Sequence, residues 1–452
     1  MLRKQCFIRV RNTRGIALLT LLLVAAVAAR TAQAQTYTVL HAFAAGSDGA
    51  VPSLLIRDAQ GNLYGTTRFG GITSCGEDTC GTVFKVDSSG KETVLYSFTG
   101  GSNGTDPVAG LVRDANGNLY GTTQGNGFIG GAAVVFKVEP NGQETSFDIA
   151  SPNACCFDSP LAVDAQGNLY GMSPFGGVPN CGLVKGQLGC GILFKLSPAG
   201  KFTVLHVFKG KDGIQPEGGV VLDAKGNIYG TANFGGDLKC ESAGYGYFVP
   251  GCGTIYKLDR NGKFTVLHTF TGPGDGSFPL GLIIDSRGNL YGIAQNGGDV
   301  IKHSNFEYGV GTIFKVDTSG KFSLPFTFIP CTQPPCTEGQ VRNAVYASHL
   351  VRDSKGNLYG LEQSNDCAKG GGCLFRIDTK GNLTDLYDFE GENEGPDGFT
   401  AMGVVLGSDG DVYGSMLLGG PPETECADFG FTNGCGTVFH LAPLAEHFVD
   451  TP

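Results

Sequence analysis

Short runs of apolar and β-branched residues alternate with turns along most of the chain. In the first repeat unit, four such runs occupy Leu54–Arg57, Asn62–Thr67, Thr82–Val86 and Thr93–Phe98. Each run has the length of a strand, is rich in Val, Leu, Tyr, Phe and Thr, and has turn residues at both ends. We label the runs A, B, C and D, and we expect each unit to contain four β-strands.

The turns within a unit are of two kinds. Asp58-Ala-Gln-Gly61-Asn62 joins A to B, and Asp87-Ser-Ser-Gly90-Lys91 joins C to D. An Asp opens such a turn by accepting backbone N–H groups, and a Gly supplies the corner with positive φ. The pattern predicts tight A–B and C–D hairpins. The B–C and D–A connections are longer and differ between units.

This unit occurs seven times. Its most regular part is the pentapeptide Gly-Asn-(Leu/Ile)-Tyr-Gly, which begins at Gly61, Gly117, Gly167, Gly226, Gly288 and Gly356, with the variant Gly-Asp-Val-Tyr-Gly at Gly410. A single four-stranded sheet cannot bury both of its faces, but seven sheets arranged radially pack on one another. The sequence therefore predicts an all-β, seven-bladed β-propeller with four antiparallel strands per blade.

The order of the runs predicts how the ring closes. The first run, Thr38–Phe43, is of type D, and the last unit ends with a C run, Thr437–Leu441, that no D run follows. We expect the N-terminal strand to join the last blade. The predicted propeller is one domain covering residues 35–443, followed by a C-terminal tail at 444–452.

The N-terminus has the pattern of a secretory signal. Basic residues without any acid are followed by an apolar run, Ile16–Ala29, and by the small-x-small sequence Ala32-Gln-Ala34. The run is short for a membrane span, so we expect a signal peptide over 1–34; the alternative is a retained anchor helix. The mature protein is then secreted, or periplasmic or at the cell surface, without a membrane span.

Composition and charge exclude several classes. The chain has 73 Gly, no Trp and 16% charged residues, which is unlike collagen, coiled coils or charged disordered chains. Residues 35–452 contain 26 Lys and Arg and 42 Asp and Glu, which gives a net charge of −16. This field repels phosphate, so nucleic acid is not an expected partner. We expect a monomer without a cofactor, whose unknown ligand is an extracellular or periplasmic glycan or protein.

Most cysteines recur at one place in the repeat. The pairs in the B–C connections of five units are Cys75/Cys80, Cys181/Cys190, Cys240/Cys252, Cys367/Cys373 and Cys426/Cys435. Local disulfides are the natural interpretation in an exported protein, and thiolate metal sites are the alternative. Cys331 and Cys336 are expected to close the connection before the sixth unit. Adjacent Cys155 and Cys156 either bond to each other or pair elsewhere.

The repeated aromatic residues are expected to pack between blades. A ring of pore-lining tyrosines is the alternative for the Tyr of each pentapeptide, but packing explains its presence in every unit more simply. The same interpretation applies to the Phe or Tyr of each C run. His41, His206 and His268 share one position of the D runs, and we expect them to be structural rather than metal ligands.

The unit resembles the GloVer-type repeats of bacterial choice-of-anchor tandem-repeat proteins. The resemblance is carried by segments such as Leu111–Thr123, LVRDANGNLYGTT, and Gly81–Asp87, GTVFKVD, and extends over nearly the whole predicted mature chain. It implies an exported propeller-like protein, with no established activity and no catalytic residues to transfer. Members of that group often end in an anchoring tail, which the residues after Leu441 do not resemble.

Departures from the repeat mark a candidate site in the sixth unit. His349 takes the position of run A that four other units fill with Gly110, Gly219, Gly281 and Gly403, and the pentapeptide is followed by Leu361-Glu362-Gln363. The A–B hairpin should bring His349 roughly opposite Leu361 and Glu362, near a pore mouth that also receives Arg342. A His–carboxylate pair can bind a polar ligand or transfer a proton. The alternative is a surface His with an incidental Glu neighbour.

Two functions remain compatible with the sequence. It contains no nucleophile elbow, phosphate loop or His-x-x-x-His pair. We therefore expect a non-catalytic binding module that presents disulfide-pinned loops on one face to a glycan, protein or small ligand. The alternative is an exported propeller enzyme, a lyase or hydrolase, with its site at the pore mouth near blade six.

Overall fold

The computed structural model describes residues 36–71, 80–124, 134–149, 159–178, 189–240, 249–298, 300–303, 306–330, 340–341, 349–362, 370–390, 399–408, 410–420, 426 and 434–442. These residues form a seven-bladed propeller in which each blade is an antiparallel sheet with its strands in the order A, B, C, D. The fold predicted from the repeat is thereby confirmed.

The first three blades have short strands A. The N-terminal strand β1 is Tyr37–Ala42, and strands A to D of blade 1 are β2 (Ala50–Pro52) with β3 (Ile56–Arg57), β4 (Leu63–Phe69), β5 (Thr82–Val86) and β6 (Glu92–Ser97). A short 3₁₀ turn, Gly101–Asn103, follows. The strands of blade 2 are β7 (Val112–Arg113), β8 (Leu119–Thr122), β9 (Val134–Val138) and β10 (Glu144–Asp148). Those of blade 3 are β11 (Ala162–Val163), β12 (Leu169–Ser173), β13 (Ile192–Leu196) and β14 (Phe202–Val207).

Blades 4 and 5 have longer strands A. The strands of blade 4 are β15 (Ile214–Leu222), β16 (Ile228–Phe234), β17 (Thr254–Leu258) and β18 (Phe264–Thr269). Those of blade 5 are β19 (Ser277–Ile284), β20 (Leu290–Asn296), β23 (Thr312–Val316) and β24 (Phe322–Thr327), with a small hairpin, β21 (Val300–His303) and β22 (Phe306–Gly309), between B and C.

Blades 6 and 7 complete the ring. Before blade 6, β25 (Ile329–Pro330) pairs in parallel with β26 (Gln340–Val341). The strands of blade 6 are β27 (Val351–Arg352), β28 (Leu358–Glu362), β29 (Gly370–Ile377) and β30 (Leu383–Glu390). Those of blade 7 are β31 (Phe399–Leu406), β32 (Val412–Leu418) and β33 (Thr437–Leu441), and its strand D is β1.

The pairing of β1 with β33 confirms the predicted ring closure. Tyr37 lies opposite Leu441 and Ala42 lies opposite Thr437 in an antiparallel register. The Arg57 guanidinium of blade 1 also lies over the Tyr413 ring of blade 7, 5.2 Å from its centroid. The two ends of the propeller are thus joined by both backbone and side chains.

Strand A departs from the predicted continuous run. In blade 1 it is split into β2 and β3, and Ser53 between them still donates its N–H to Thr66 O at 2.8 Å. In blades 4, 5 and 7 the register shifts at the corresponding place. The A strands of most neighbouring blades contact one another, for example those of blades 4 and 5 and of blades 7 and 1, so strand A lines the central axis. An irregular inner strand there bends the backbone where the blades crowd together.

The core lies between the blades. The aromatic residue of each strand C is buried, and the set is Phe84, Phe136, Phe194, Tyr256, Phe314, Phe375 and Phe439. The Gly after each repeat Tyr makes room for this ring: a Cβ at Gly65 would lie 2.7 Å from Cζ of Phe84. Phe98 of blade 1 meets Phe136 of blade 2 at 5.0 Å. The packing role expected for these aromatic residues is confirmed.

The A–B turns explain the rest of the pentapeptide. Asp58 accepts the backbone N–H groups of Gln60 and Asn62 on Oδ1, and on Oδ2 it accepts the Asn62 amide and the Tyr64 hydroxyl, the last at 2.9 Å. Gly61 has a φ of 89°. The same carboxylate-centred cluster recurs in blades 2 to 6, around Asp114, Asp164, Asp223, Asp285 and Asp353.

Candidate ligand-binding face

The strand order places all long connections on one side of the ring. Because the strands of a blade are antiparallel, the B–C and D–A connections leave from the same face, which we call the loop face. The opposite turn face carries the tight A–B and C–D hairpins. Long connections on a rigid ring are the usual location of binding residues.

Disulfides lie in the connections of the loop face. Cys240–Cys252 in blade 4 and Cys426–Cys435 in blade 7 are bonded, with Cα–Cα distances of 5.7 and 5.4 Å. Cys80, Cys190 and Cys373 are also disulfide-bonded. Their predicted partners Cys75, Cys181 and Cys367 lie outside the described residues, as do Cys155, Cys156, Cys331 and Cys336.

The same cysteines take part in the contact between blades. In four blades the sequence Cys-Gly precedes strand C, and the cysteine carbonyl accepts a backbone N–H of the following blade. The donor and acceptor residues are Asp106 and Cys80 (3.4 Å), Gln215 and Cys190 (2.9 Å), Phe278 and Cys252 (3.1 Å), and Val51 and Cys435 (2.7 Å). We call this contact between a Cys-Gly pair and the following blade a joint. The disulfide that constrains each loop therefore also stabilises the joint with the next blade.

The donors in these joints have a left-handed backbone although none is glycine. Their φ angles run from 52° to 63°, and each donor precedes a proline. The proline packs on the Gly of the Cys-Gly pair: a Cβ at Gly253 would lie 2.4 Å from Cδ of Pro279. Such a conformation costs about 1–3 kcal/mol and persists only where its surroundings enforce it. Its recurrence makes it a feature of the ring rather than the mark of one site.

One register position forms a ring around the axis. Four residues before the turn Asp of each blade, or its blade 7 equivalent Gly407, this position is held by Leu54, Gly110, Pro160, Gly219, Gly281, His349 and Gly403. A Cβ at Gly110 would lie 3.0 Å from Cβ of Leu54, and one at Gly403 would lie 2.3 Å from Cδ2 of Leu54. The glycines are therefore required because the inner strands approach one another here.

His349 holds the blade 6 position of this ring. Neither of its ring nitrogens has a hydrogen-bond partner, and both are shielded from solvent. This burial lowers the pKa of His349 from 6.5 to about 4. The imidazole is neutral at neutral pH, and the ring nitrogens retain unused hydrogen-bonding capacity.

The structure does not form the predicted His349–Glu362 pair. Glu362 is 7% exposed, lies opposite Cys373 in the register, and its Oε2 is 3.7 Å from the Cys373 Sγ. It takes the register position of Thr67, which packs against Gly49 of a D–A connection, whereas His349 belongs to the axial ring. The two side chains therefore do not share a hydrogen bond. Gln363 and Arg342 lie outside the described residues.

Sequence reasoning missed a second set of polar residues. The fourth residue after the repeat Tyr is Arg68, Gln124, Pro174, Asn233, Gln295, Gln363 and Leu417 in blades 1 to 7. Of these, Arg68, Asn233, Gln295 and Leu417 lie at the loop-face end of strand B. In blade 4, Asn233 Nδ2 donates to Glu217 Oε2 at 2.6 Å. In blade 1, Arg68 forms an ion pair with Asp106 at 2.6 Å. Reading this one position across the repeat would have found the set.

The D-strand histidines have the structural role expected for them. His206 Nε2 lies 2.9 Å from Asp212 Oδ2 and the ring stacks on Phe264 of the next blade at 3.7 Å. His268 contacts Asp275 and Phe322 in the same way. Burial raises the pKa of Asp212, but the hydrogen bond from His206 and the Lys209 backbone amide outweigh it, so the pKa lies below the ordinary value.

The described ranges lack two kinds of feature. They contain no group of three His, Cys, Asp or Glu side chains arranged to hold a metal ion. Nor does that part of the chain include a helix of the length and hydropathy needed to cross a bilayer.

Several solved structures are similar to this chain. A gluconolactonase from Xanthomonas campestris is 16% identical, with 80% of this chain and 93% of that chain covered and a TM-score of 0.40. PorZ, a surface component of the type-IX secretion system of Porphyromonas gingivalis, is 16% identical, with 85% of this chain and 46% of that chain covered and a TM-score of 0.48. A luciferin-regenerating enzyme is 13% identical, with 91% of this chain and 96% of that chain covered and a TM-score of 0.40. Identities this low say nothing about a shared activity.

Sequence comparison identifies the repeat itself. A search of the curated proteins found no match. The model of the Gloeobacter/Verrucomicrobia repeat matches residues 26–240 and 183–341, which together exceed half of the chain. These segments contain the first five pentapeptides and their turn clusters, and the GloVer resemblance is confirmed. This protein is therefore a member of the Gloeobacter/Verrucomicrobia repeat family.

Proposed function

We propose that this protein is an exported, non-catalytic binding module whose loop face engages a glycan, protein or small ligand. The observation that carries the proposal is the position of the disulfide-bonded cysteines: in blades 1, 3, 4 and 7 they lie in the B–C connection of the loop face, and in blade 6 Cys373 lies near the start of strand C. In this proposal residues 1–34 direct export, and oxidation follows outside the cytoplasm.

The physical advantage of these disulfides is preorganisation. A loop that is already held in its binding shape loses less conformational entropy when a ligand binds. A 12-residue separation, as in Cys240–Cys252, gives about 3 kcal/mol of unfolded-state constraint in the chain-entropy model. The turn face needs no such device because its hairpins are held by Asp and Gly.

The enzymatic alternative depends on ionisable groups that act together at the pore mouth. The expected pair, His349 and Glu362, shares no hydrogen bond. We therefore retain the binding function.

The first experiment tests export and binding. Mass spectrometry of protein secreted by a bacterial host should find Gln35 as the first residue. That protein, purified without reductant, is then screened on an array of neutral and acidic glycans and against immobilised surface proteins of the producing cell. We expect a saturable ligand without chemical conversion, and mass spectrometry that detected a product of the bound probe would contradict the non-catalytic function.

A matched pair of variants tests the face. Replacing both Cys240 and Cys252 by Ser releases one loop of blade 4 and should weaken binding about tenfold or more. Lys225→Ala changes an exposed residue of the A–B turn in the same blade, on the opposite face, and should leave binding unchanged. If the natural protein, the double Cys variant and Lys225→Ala bound the ligand equally, the ligand would not bind at this loop of blade 4.

A further inference from the structure

The outer edge of the contact between blades 7 and 1 departs from the repeat. Between blades 3 and 4, Phe264 at the start of strand D stacks on His206 of the preceding strand D, with ring centroids 3.7 Å apart, and blades 4 and 5 repeat this contact at 3.6 Å. His41 of β1 has the register position of His206, but strand D of blade 1 begins with Glu92. A carboxylate therefore replaces the aromatic cover at the place where the ring closes.

The backbone places Glu92 beside the N-terminal strand. The turn before Glu92 lies so close to β1 that a Cβ at Gly90 would be 2.8 Å from Leu40 O, and His41 follows Leu40 directly. The electrostatics agree with this placement. Burial raises the pKa of Glu92 above its ordinary 4.5, His41 acts against this rise, and Asp48 in the connection from β1 to blade 1 adds to it. We call His41, Asp48 and Glu92 the closing cluster.

The closing cluster is incompletely bonded. His41 Nε2 lies 3.5 Å from Asp48 Oδ2, whereas the equivalent distances in blades 3 and 4 are both 2.9 Å. Neither His41 Nε2 nor Glu92 Oε1 has a hydrogen-bond partner, and both atoms are shielded from solvent. Asp48 Oδ2 accepts the backbone N–H of Ala44 at 3.0 Å, which fixes the connection between β1 and blade 1. Two shielded polar atoms are thus left without a partner at the strand that closes the ring.

The neighbouring elements bring no other group into the closing cluster. His41 lies opposite Val438 on β33, and Glu92 lies opposite Val86 on β5. Among the described residues, the pKa of Glu92 responds to the charges of His41 and Asp48. The other charged or titratable residues of β1, β5, β6, β33 and the C–D turn of blade 1 are Tyr37, Lys85, Asp87, Lys91, Tyr96 and His440. Of these, His440 is paired with Asp411 at 2.8 Å.

Proton uptake by the closing cluster favours attachment of β1. Two carboxylates in a partly shielded place repel each other, and a neutral imidazole does not offset this repulsion. A proton on His41 places a cation beside both carboxylates, and a proton on Glu92 removes one negative charge. For Glu92 the sign follows from the raised pKa: the stability that its proton provides is present below pH 4.5 and is lost as pH rises through the pKa of the folded protein.

We propose that the closing cluster is a pH-sensitive switch on ring closure, in which mild acid holds the N-terminal strand more tightly against blade 1 than a neutral medium does. The switch acts through β1 at the outer edge of the ring, so it does not depend on the proposed binding function. At the two equivalent contacts, between blades 3 and 4 and between blades 4 and 5, a phenylalanine occupies the position of Glu92, and the carboxylate on which the switch depends is missing there.

Hydrogen exchange followed by mass spectrometry measures the attachment of β1 in the protein of residues 35–452. The protection factor of residues 36–43 is divided by that of β24, a strand D without ionisable side chains. This ratio cancels changes in global stability, including the effect of His349, because global unfolding exposes both strands alike. We expect the ratio to be at least fivefold higher at pH 5 than at pH 7.5. A ratio that stayed constant or fell in acid would overturn the switch.

A matched pair of glutamine variants tests the carboxylate. Glu92→Gln keeps the shape of the side chain but cannot ionise, so its ratio at pH 7.5 should rise at least threefold and its dependence on pH should shrink to about twofold or less. Glu144→Gln changes the same register position in blade 2, where Glu144 contacts Ser146 and Tyr96 rather than a histidine. This control should leave the ratio unchanged at both pH values.

Further outcomes separate a switch from a structural role. If Glu92→Gln lowered the ratio equally at pH 5 and pH 7.5, Glu92 would support the strand without sensing pH, and the proposal would be wrong. It would also be wrong if Glu144→Gln altered the ratio as much as Glu92→Gln did. Should Glu92→Gln fail to fold, Glu92→Phe gives blade 1 the residue that blades 4 and 5 have at this position, and the same loss of pH dependence is expected.

Discussion

At the scale of single residues, the described part of the propeller contrasts satisfied and unsatisfied polar groups. The turn carboxylates of blades 1 to 6 are saturated by backbone, amide and hydroxyl donors. Burial and the hydrogen bond to Asp raise the pKa of Tyr120, Tyr170 and Tyr229 to about 12. Asp114, Asp164 and Asp223, which accept these hydroxyls, have a lowered pKa, since their hydrogen-bond donors outweigh the effect of partial burial. His349 is the opposite case, because no hydrogen bond compensates for the burial of its ring nitrogens.

Removing one turn carboxylate should therefore be costly. Asp223→Ala leaves the Tyr229 hydroxyl, the Asn227 amide and two backbone N–H groups without their acceptor, and we expect a loss of about 3 kcal/mol in the free energy of unfolding. Urea denaturation measures this loss. Asp259→Ala in the exposed C–D turn of the same blade removes two backbone contacts and should cost clearly less. Equal losses would refute the argument from saturation.

The lowered pKa of His349 predicts a pH-dependent stability with a definite sign. Between pH 6.5 and about 4 the unfolded chain binds a proton at His349 that the folded protein does not, so this residue makes the protein less stable as pH falls. At pH 5 the difference is roughly 2 kcal/mol. The Tm of the natural protein minus that of His349→Leu should therefore decrease from pH 7 to pH 5. A constant difference would mean that His349 titrates normally.

At the scale of elements, the joint between blades combines a disulfide, a glycine and a proline. The Cys-Gly before strand C meets the A strand of the next blade, whose first residues adopt positive φ to reach the cysteine carbonyl. The joint explains why Gly follows the second cysteine of four pairs, a correlation that turn propensity alone does not predict. It also links the shape of each such loop to the packing of the neighbouring blade.

This joint makes one glycine irreplaceable. Gly253→Ala combines a φ of 101° with a Cβ that would lie 2.4 Å from Pro279 Cδ and 2.6 Å from Ala232 O, so we expect a loss of several kcal/mol or failure to fold. Gly262→Ala in the C–D turn has a φ of 85° but nothing within 4 Å of the added Cβ. Its cost should be about 1 kcal/mol, from backbone conformation alone. Thermal unfolding that ranked the two variants alike would contradict the joint.

At the scale of the whole molecule, the ring is held shut by its first strand. Strand β1 supplies strand D of blade 7, and Phe43 just beyond it packs on Phe84 of blade 1 at 5.0 Å. Stacking of the Tyr37 ring on Tyr387 of blade 6 at 4.8 Å extends the closure to a third blade. The N-terminal segment thus contacts blades 1, 6 and 7 together.

Deleting residues 36–43 should therefore affect the whole ring. Without strand D, the edge of β33 and the aromatic faces of blades 1 and 6 are exposed, and we expect loss of the single cooperative unfolding transition together with aggregation. Adding a synthetic peptide of residues 36–44 should restore a folded state. Deleting residues 444–452 is the control and should leave the Tm unchanged. Cooperative unfolding of the 36–43 deletion at the natural Tm would show that closure does not depend on β1.

The local sequence pattern predicted most of the fold because the same order of strands and turns occurs seven times. Strand C of blade 1 was predicted at Thr82–Val86, where the structure has it, and the other C and D runs follow the same spacing. Strand A was predicted less well, since its split in blade 1 and its bulges arise from crowding at the axis. The type of residue in strand A does not show how closely the inner strands of the adjacent blades approach it.

The periodic pattern of the chain and the order of its strands are enough to predict the number of blades, the closure of the ring, the loop face and the structural roles of the repeat Asp, Tyr and Phe. The hydrogen bonding of polar groups near the axis comes from the tertiary structure instead: the His349 ring nitrogens are shielded from solvent and share no hydrogen bond with Glu362, and Asn233 Oδ1 has no partner. Burial and the distance between blades depend on how seven sheets crowd around one axis, and residues far apart in the chain set that packing together.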